Sequence, residues 1–203
     1  MSITLNGTTG ITTPALDNQG NLTVDGGTIK LDGNYPVGTY NVALGDAALS
    51  NGSLSGGNNT AVGYNSGANI AGGAGNTLTG SGAGVGITTG TNNSYFGVGT
   101  AAFDYNTGTG NVGLGYQALY KITTASNSTA VGYQAGYGQT TGGANSFFGR
   151  QAGYSAAGST ATHNTFIGDN AGATVTTGSK NTILGRYTGN QGGLDIRTSS
   201  NNI

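Results

Sequence analysis

The stretch Ser128–Gly136 reads Ser-Thr-Ala-Val-Gly-Tyr-Gln-Ala-Gly, and Asn59–Gly67 reads Asn-Thr-Ala-Val-Gly-Tyr-Asn-Ser-Gly. Aligning the rest of the chain on these two stretches finds the same phrase nine times. Its central glycine is Gly45, Gly63, Gly80, Gly97, Gly115, Gly132, Gly149, Gly168 and Gly185, at intervals of 17 to 19 residues. A period of this length is typical of a solenoid, in which each repeat forms one coil that stacks on the next. The sequence therefore predicts stacked coils and not a globular domain.

The first position of the phrase is a repeated asparagine, and the central glycine is then position five. Asparagine fills position one in eight copies, and Ser128, preceded by Asn127, fills it in the other. Side-chain amides repeated at one turn can hydrogen-bond their own backbone and the copy above, so we expect an asparagine ladder. Its members are Asn41, Asn59, Asn76, Asn93, Asn111, Asn145, Asn164 and Asn181.

Positions two to four form a short strand that is apolar on both faces. Position two is Val, Thr or Ser, and position four is mostly Leu, Val, Phe or Ile. Position three points to the opposite face and is also mostly apolar, with Gly113 as the exception. One face fills the interior of a coil, and the other needs a partner that a thin solenoid does not offer. The glycine at position five and the small residue at position eight fit a narrow interior in which backbones approach closely.

Composition excludes several classes of protein. The 203 residues include 42 glycines and no cysteine, and six Lys and Arg stand against seven acidic residues, all Asp. This balance favours neither nucleic acid nor an anionic membrane as a partner, and no apolar run is long enough to span a bilayer. We therefore expect no nucleic-acid binding, no membrane insertion, no disulfide and no thiolate metal site.

The chain divides into three parts. Residues 1–40 precede the repeats and contain short alternating runs that predict strands at Ser2–Leu5, Asn21–Val24 and Thr28–Leu31, in a segment for attachment or for initiating assembly. Residues 41–189 hold nine coils of about 17 residues. Residues 190–203 leave the pattern, so we expect an exit segment whose end is either matured or truncated, or is covered by a partner protein. Because no amphipathic helical window is present, we expect essentially no helix.

The repeats resemble those of bacteriophage tail fibres and are similar to the parallel β-roll head repeats of trimeric autotransporter adhesins. The resemblance rests on the Asn-Thr-Ala-Val-Gly-Tyr-Gln-Ala-Gly phrases, and on the flanks Ser2–Leu16, Ile29–Gly38 and Gly193–Ile203. It implies an all-β homotrimer of intertwined or packed parallel β-rolls that forms a stiff virion fibre. It also implies other virion or fibre proteins as partners, and an extracellular location.

Catalysis and cofactor binding lack the residues that they need. Asp46 and Asp169 share a repeat position but belong to coils one and eight, so they cannot form the paired carboxylates of a hydrolytic tailspike. His163 precedes Asn164 in a turn, where a solvent-exposed role is expected. The glycine phrase Gly80–Gly86 has no following helix to cradle a phosphate, and calcium-binding repeats would need recurring Asp. We expect no enzyme activity, no cofactor and no metal.

Tyrosines supply the candidate contact surface. Tyr120, Tyr137 and Tyr154 occupy position ten of three successive coils, and Tyr116 and Tyr133 occupy position six of two. Coils stack about 4.8 Å apart, so each set predicts an aromatic ladder. Such a ladder stabilises the fibre, or it offers a carbohydrate platform on the outside, and Arg150 and Arg186 at position six suit either role.

The leading hypothesis is a passive, structural tail fibre of a phage virion that contributes to host attachment through a surface glycan or protein. A bacterial surface adhesin or extracellular appendage built from the same repeat is the alternative. An ice-binding solenoid is a second alternative, which the lack of a regularly repeated Thr-x-Thr face disfavours.

Overall fold

The described part of the chain is an all-β parallel solenoid. The computed structural model describes residues 39–103, 105–155, 160–192 and 194–202, so the strands predicted within residues 1–38 lie outside it. Nine three-residue strands pair in sequence order in one parallel sheet, and no helix occurs in these ranges. They are β1 (Val42–Leu44), β2 (Thr60–Val62), β3 (Thr77–Thr79), β4 (Ser94–Phe96), β5 (Val112–Leu114), β6 (Thr129–Val131), β7 (Ser146–Phe148), β8 (Thr165–Ile167) and β9 (Thr182–Leu184).

The register of the sheet follows the repeat alignment. Position two pairs with position two of the next coil, as Thr129 does with Ser146, and positions three and four do the same. The nine strands thus enclose eight complete turns of the solenoid. The predicted parallel β-solenoid is confirmed.

The central glycine is required where successive coils meet. Gly63 has φ +132°, and a Cβ added there would lie 2.6 Å from the carbonyl oxygen of Gly80 in the next coil. The same conflict recurs along the stack, but at Gly185, in the last coil, an added Cβ would meet nothing within 4 Å. Backbones therefore approach closely along the solenoid axis at position five. The sequence predicts a close approach inside the coil at both positions five and eight, but only the small residues at position eight are buried there.

The asparagine ladder forms as expected and runs through the buried side of each turn. The backbone N–H of Asn76 donates to Oδ1 of Asn59 at 3.0 Å, while Nδ2 of Asn76 donates to the Gly90 carbonyl at 2.9 Å. Each amide therefore ties its own turn and also the neighbouring coil. An unpaired buried polar group costs free energy. Because these hydrogen bonds pair the buried amide, asparagine can occupy position one in place of an apolar side chain.

Position three faces the interior, so the other strand face points outward. Position-three side chains range from glycine to tyrosine, and their volume is balanced by position nine of the same coil or by side chains of the neighbouring coils. Phe147 at position three is matched by Gly153 at position nine, where an added Cβ would lie 2.5 Å from the nearest atom of the Phe147 ring. Gly113 goes with the buried Leu119, and a Cβ on Gly113 would lie 3.1 Å from the ring of Tyr95 in the preceding coil. The exceptional glycine at position three therefore makes room for a fully buried tyrosine.

After β9 the chain makes a short hairpin and then rejoins the stack. Strands β10 (Asn190–Gln191) and β11 (Leu194–Asp195) pair antiparallel. Beyond them Ile196 is buried, and the backbone N–H of Asn202 donates to Oδ1 of Asn181 at 3.0 Å. The repeat phrase is absent here, but the asparagine ladder gains one more member and covers the last coil.

Candidate functional site

The outward strand face carries an exposed apolar stripe, which we call the strand-face stripe. It consists of the position-four side chains Leu44, Phe96, Leu114, Phe148, Ile167 and Leu184, whose exposed fractions range from 38% to 81%, with half-buried Val62 and Val131 between them. Only Thr79 interrupts the apolar series. Eight strand intervals of about 4.8 Å make the stripe about 38 Å long. Exposed apolar surfaces of this continuity mark interaction sites in soluble proteins.

No charged residue lies at positions two or four of any of the nine strands. Position two contributes Thr, Ser and Val, so hydroxyls and methyl groups flank the stripe. Depletion of charge is the compositional signature of the buried core of a protein interface. The strand face therefore has the chemistry of a surface that another polypeptide covers.

The predicted tyrosine ladders are present on the turn side of the strand. Tyr116 and Tyr133 stack with ring centroids 5.3 Å apart and planes 15° from parallel. Tyr137 stacks on Tyr120 and on Tyr154, at 5.1 Å in both cases. Nζ of Lys121 lies 5.5 Å from the centroid of the Tyr137 ring. Since both faces of Tyr137 are covered, it presents only its edge and hydroxyl to solvent, and a ring face can open only at a ladder end.

Burial is the main cause that raises the pKa of Tyr137, and the neighbouring tyrosines raise it further. The Tyr137 hydroxyl therefore ionises at a higher pH than an ordinary tyrosine. Whether these five tyrosines contact a receptor stays a prediction.

A column of side-chain amides lies beside the tyrosines at position seven, and sequence reasoning missed it. Nε2 of Gln134 donates to Oε1 of Gln117 at 2.9 Å, and Nε2 of Gln151 donates to Oε1 of Gln134 at 3.1 Å. All three glutamines have φ between +51° and +55°, in the left-handed region, so each adopts a backbone conformation that costs free energy. The same alignment that revealed the asparagine ladder contains this signal.

An ion-pair column continues position six beyond the tyrosines. Nε of Arg150 lies 2.8 Å from Oδ1 of Asp169, and Nε of Arg186 lies 3.7 Å from Oδ2 of the same carboxylate. The hydrogen bond from Arg150 is the main cause that lowers the pKa of Asp169. These side chains are well exposed, so the pairs order the surface more than they stabilise the fold.

The remaining sequence candidates are dispersed. Asp46 follows β1 and Asp169 follows β8, while His163 is exposed in a bend with φ +58°. Within the four described ranges, no three His, Asp or Glu side chains form a group that could hold a metal ion. Among the same residues, no helix has the length and apolar character needed to cross a membrane.

The geometry thus offers two surfaces, the strand-face stripe and the turn-side columns of tyrosine, glutamine and paired charges. A scan against protein-family models, a search of curated proteins and a search of solved structures found no match to the chain.

Proposed function

We propose that the chain is the structural subunit of a phage tail fibre, in which three copies pack through their strand-face stripes into a rigid shaft. The observation that carries the proposal is the uncharged apolar stripe that runs along all nine coils. The turn-side columns then face solvent and are the part of the shaft that meets the host surface. The protein acts passively, since stacked coils supply length and stiffness.

A second copy of the same chain is the partner that best fits the stripe. The stripe repeats at the coil spacing, so another solenoid in register presents the same apolar series at the same intervals. Symmetric assembly around an axis would bury every copy's stripe equally and leave none exposed. The resemblance of the repeats to those of trimeric adhesins favours three copies over two.

The resemblance also supports the virion as the location, and a cellular surface adhesin is the alternative. Both readings share the trimeric shaft. They differ in where the protein is found, so detection of this chain in purified phage particles supports the fibre, and its presence on uninfected bacterial cells supports the adhesin.

Sedimentation equilibrium of the purified chain tests the assembly. We expect a species of about three times the chain mass of 19.8 kDa, and rods in negatively stained images. A stable monomer would refute the trimer, and particles without elongation would refute the shaft.

Matched substitutions locate the interface. Leu114→Lys and Phe148→Lys place charges on the strand-face stripe, where burial of an unpaired charge is costly, so we expect dissociation to monomers. Val98→Lys is the control, because Val98 is equally exposed apolar surface at position six, outside the stripe. If Val98→Lys dissociates the assembly and the two stripe variants do not, the interface lies on the turn side.

A further inference from the structure

The position-ten tyrosine ladder ends beside a concave site. Tyr154 stacks on Tyr137 through one ring face, and the next coil has Ala173 where a fourth ring would continue the ladder. Tyr154 and Ala173 line a cavity of about 540 Å³ with Thr174, Thr176, Asp195, Arg197 and Thr198. This volume is within the range of about 300–1,000 Å³ typical of small-molecule sites.

Another part of the cavity wall is a preorganised ion pair. Asp195 lies on β11 of the terminal hairpin. Nη2 of Arg197 lies 2.6 Å from Oδ2 of Asp195, and Nε of Arg197 contacts the two carboxylate oxygens at 3.0 and 3.1 Å. The backbone N–H of Arg197 also donates to Oδ1 of Asp195 at 3.0 Å, which fixes the carboxylate. Hydrogen bonds from the Arg197 side chain are the main cause that lowers the pKa of Asp195 to about 2. The pair is therefore charged at neutral pH.

The pair still has hydrogen-bonding capacity for a ligand. Nη1 of Arg197 donates to no residue within the described ranges, and carboxylate oxygens accept more than one hydrogen bond. The hydroxyl of Thr174 donates to the Thr188 carbonyl at 2.7 Å and can still accept from a ligand. The cavity therefore combines an aromatic wall with a fork of donors and acceptors.

The charges that line the cavity cancel, which decides between classes of ligand. Among the described residues that line the cavity, only Asp195 and Arg197 are charged, and they neutralise each other, so an anion such as phosphate finds no excess positive charge. A pyranose ring matches the site better, because it has an apolar face of C–H groups for the negative face of an aromatic ring and hydroxyls for paired donors and acceptors. We propose that this cavity binds one neutral hexopyranose residue of a glycan, with its C–H face on Tyr154 and its hydroxyls on Asp195 and Arg197. The proposal names a ligand class for host attachment and in that sense rests on the proposed function, although the site is formed within one chain.

Saturation-transfer NMR with the full chain tests the site, using the methyl α-glycosides of glucose, galactose and mannose as probes. We expect transfer to at least one of them, strongest at the protons of one ring face. Tyr154→Ala and Arg197→Gln should each weaken binding at least about tenfold, the equivalent of 1.4 kcal/mol. The Arg197 side chain is exposed, and the backbone carbonyl of this residue, which accepts from the Thr176 N–H at 3.0 Å, is unchanged in Arg197→Gln.

Tyr120→Ala is the matched control, because it removes a stacked ring from the same ladder at the end away from the cavity. Binding that survives in Tyr120→Ala and is lost in Tyr154→Ala supports the proposal, whereas equal loss in both variants overturns it. Transfer to none of the three glycosides also overturns it, as does a response to inorganic phosphate alone. If the chain forms trimeric rods but binds no sugar, this site is refuted and the fibre proposal stands. If the chain is a monomer that binds sugar, the site is supported and the trimeric fibre is refuted.

Discussion

Coil six departs from the repeat at two positions that contact each other, and this departure leads to a quantitative prediction. Ser128 occupies position one, where every other coil has asparagine, and Gln139 occupies the interior position that is Ile122 in the preceding coil. Nε2 of Gln139 donates to Oγ of Ser128 at 2.7 Å and also to the Gly142 carbonyl. In the preceding coil Nδ2 of Asn111 makes the corresponding bond, to the Ala125 carbonyl at 2.9 Å. Gln139 therefore supplies the amide that Ser128 lacks.

The replacement is imperfect, and this sets the magnitude. Oε1 of Gln139 is buried and accepts no hydrogen bond from any described residue. An unsatisfied buried acceptor costs about 1–3 kcal/mol. The double variant Ser128→Asn with Gln139→Ile removes that acceptor and recreates the arrangement of Asn111 and Ile122. We therefore expect it to raise the free energy of unfolding by about 2 kcal/mol.

The single variants should not share this gain. The Gly142 carbonyl already accepts from Nε2 of Gln139 and from Nδ2 of Asn145, so Ser128→Asn alone crowds a third amide against it, and overpacking costs about 1–3 kcal/mol. Gln139→Ile alone removes the orphan oxygen but also the donor to Ser128, so its effect should be within about 1 kcal/mol of zero. The two sites are in contact, so the coupling energy should exceed about 1 kcal/mol.

Chemical denaturation followed by circular dichroism, at one protein concentration for all variants, measures these differences. The reciprocal pair Asn111→Ser with Ile122→Gln is the matched control, and it should destabilise the preceding coil by a similar amount. Additive single effects, or a double variant less stable than the unmodified chain, would refute the reasoning that Gln139 replaces a ladder amide.

Two further predictions concern the glycine column and a buried phenol. Gly132→Ala places a Cβ against the Gly149 carbonyl group and should prevent normal stacking of the coils. Gly185→Ala adds only the backbone strain of φ +104°, about 1–2 kcal/mol. Thermal melts of the two variants compare their loss of stability. Burial raises the pKa of Tyr95 far above the value of about 10 that an exposed tyrosine has, so its contribution to stability is complete below pH 10 and is lost as pH rises further. At pH 7 the free energy of unfolding of Tyr95→Phe should therefore equal that of the unmodified chain within about 1 kcal/mol. Above pH 10 the variant should become more stable than the unmodified chain by up to about 1.4 kcal/mol per pH unit, and denaturation at pH 7 and above pH 10 measures the difference.

The solenoid and its ladders could be predicted because one residue type at one spacing determines each of them. Gly132 recurs because of a close backbone approach between coils, and Asn111 recurs because its amide bonds across coils. Each requirement acts between neighbouring coils, so it repeats at the period and is visible in an alignment. The glutamine column obeys the same rule and was open to the same reasoning.

The direction in which each strand face points could not be predicted, because both faces are apolar. Position three is interior although it includes Ala43 and Gly113, which alone would suggest a face with little to bury. Its volume is balanced by position nine of the same coil and by the neighbouring coil, as with Tyr95 against Gly113. A periodic pattern does not reveal compensation between positions.

The segment after Gly189 was unpredictable for a different reason. Asn202 follows Asn181 by 21 residues because the β10 and β11 hairpin is inserted between the two ladder members. The insertion breaks the period and thereby hides both the continued ladder and the Asp195 and Arg197 pair. Sequence reasoning therefore treated the segment as an exit from the fold.

Specific recognition in a repeat fold should occur where the series of coils changes, since a surface that repeats unaltered binds at every coil alike. The position-ten series changes once from tyrosine to alanine, between Tyr154 and Ala173, and the hairpin insertion brings a charged pair to that same place. Neither event alone produces a binding site, because an open ring face needs polar partners to orient a ligand. Their coincidence gives the shaft one distinct position along a surface that is otherwise set by structural repetition.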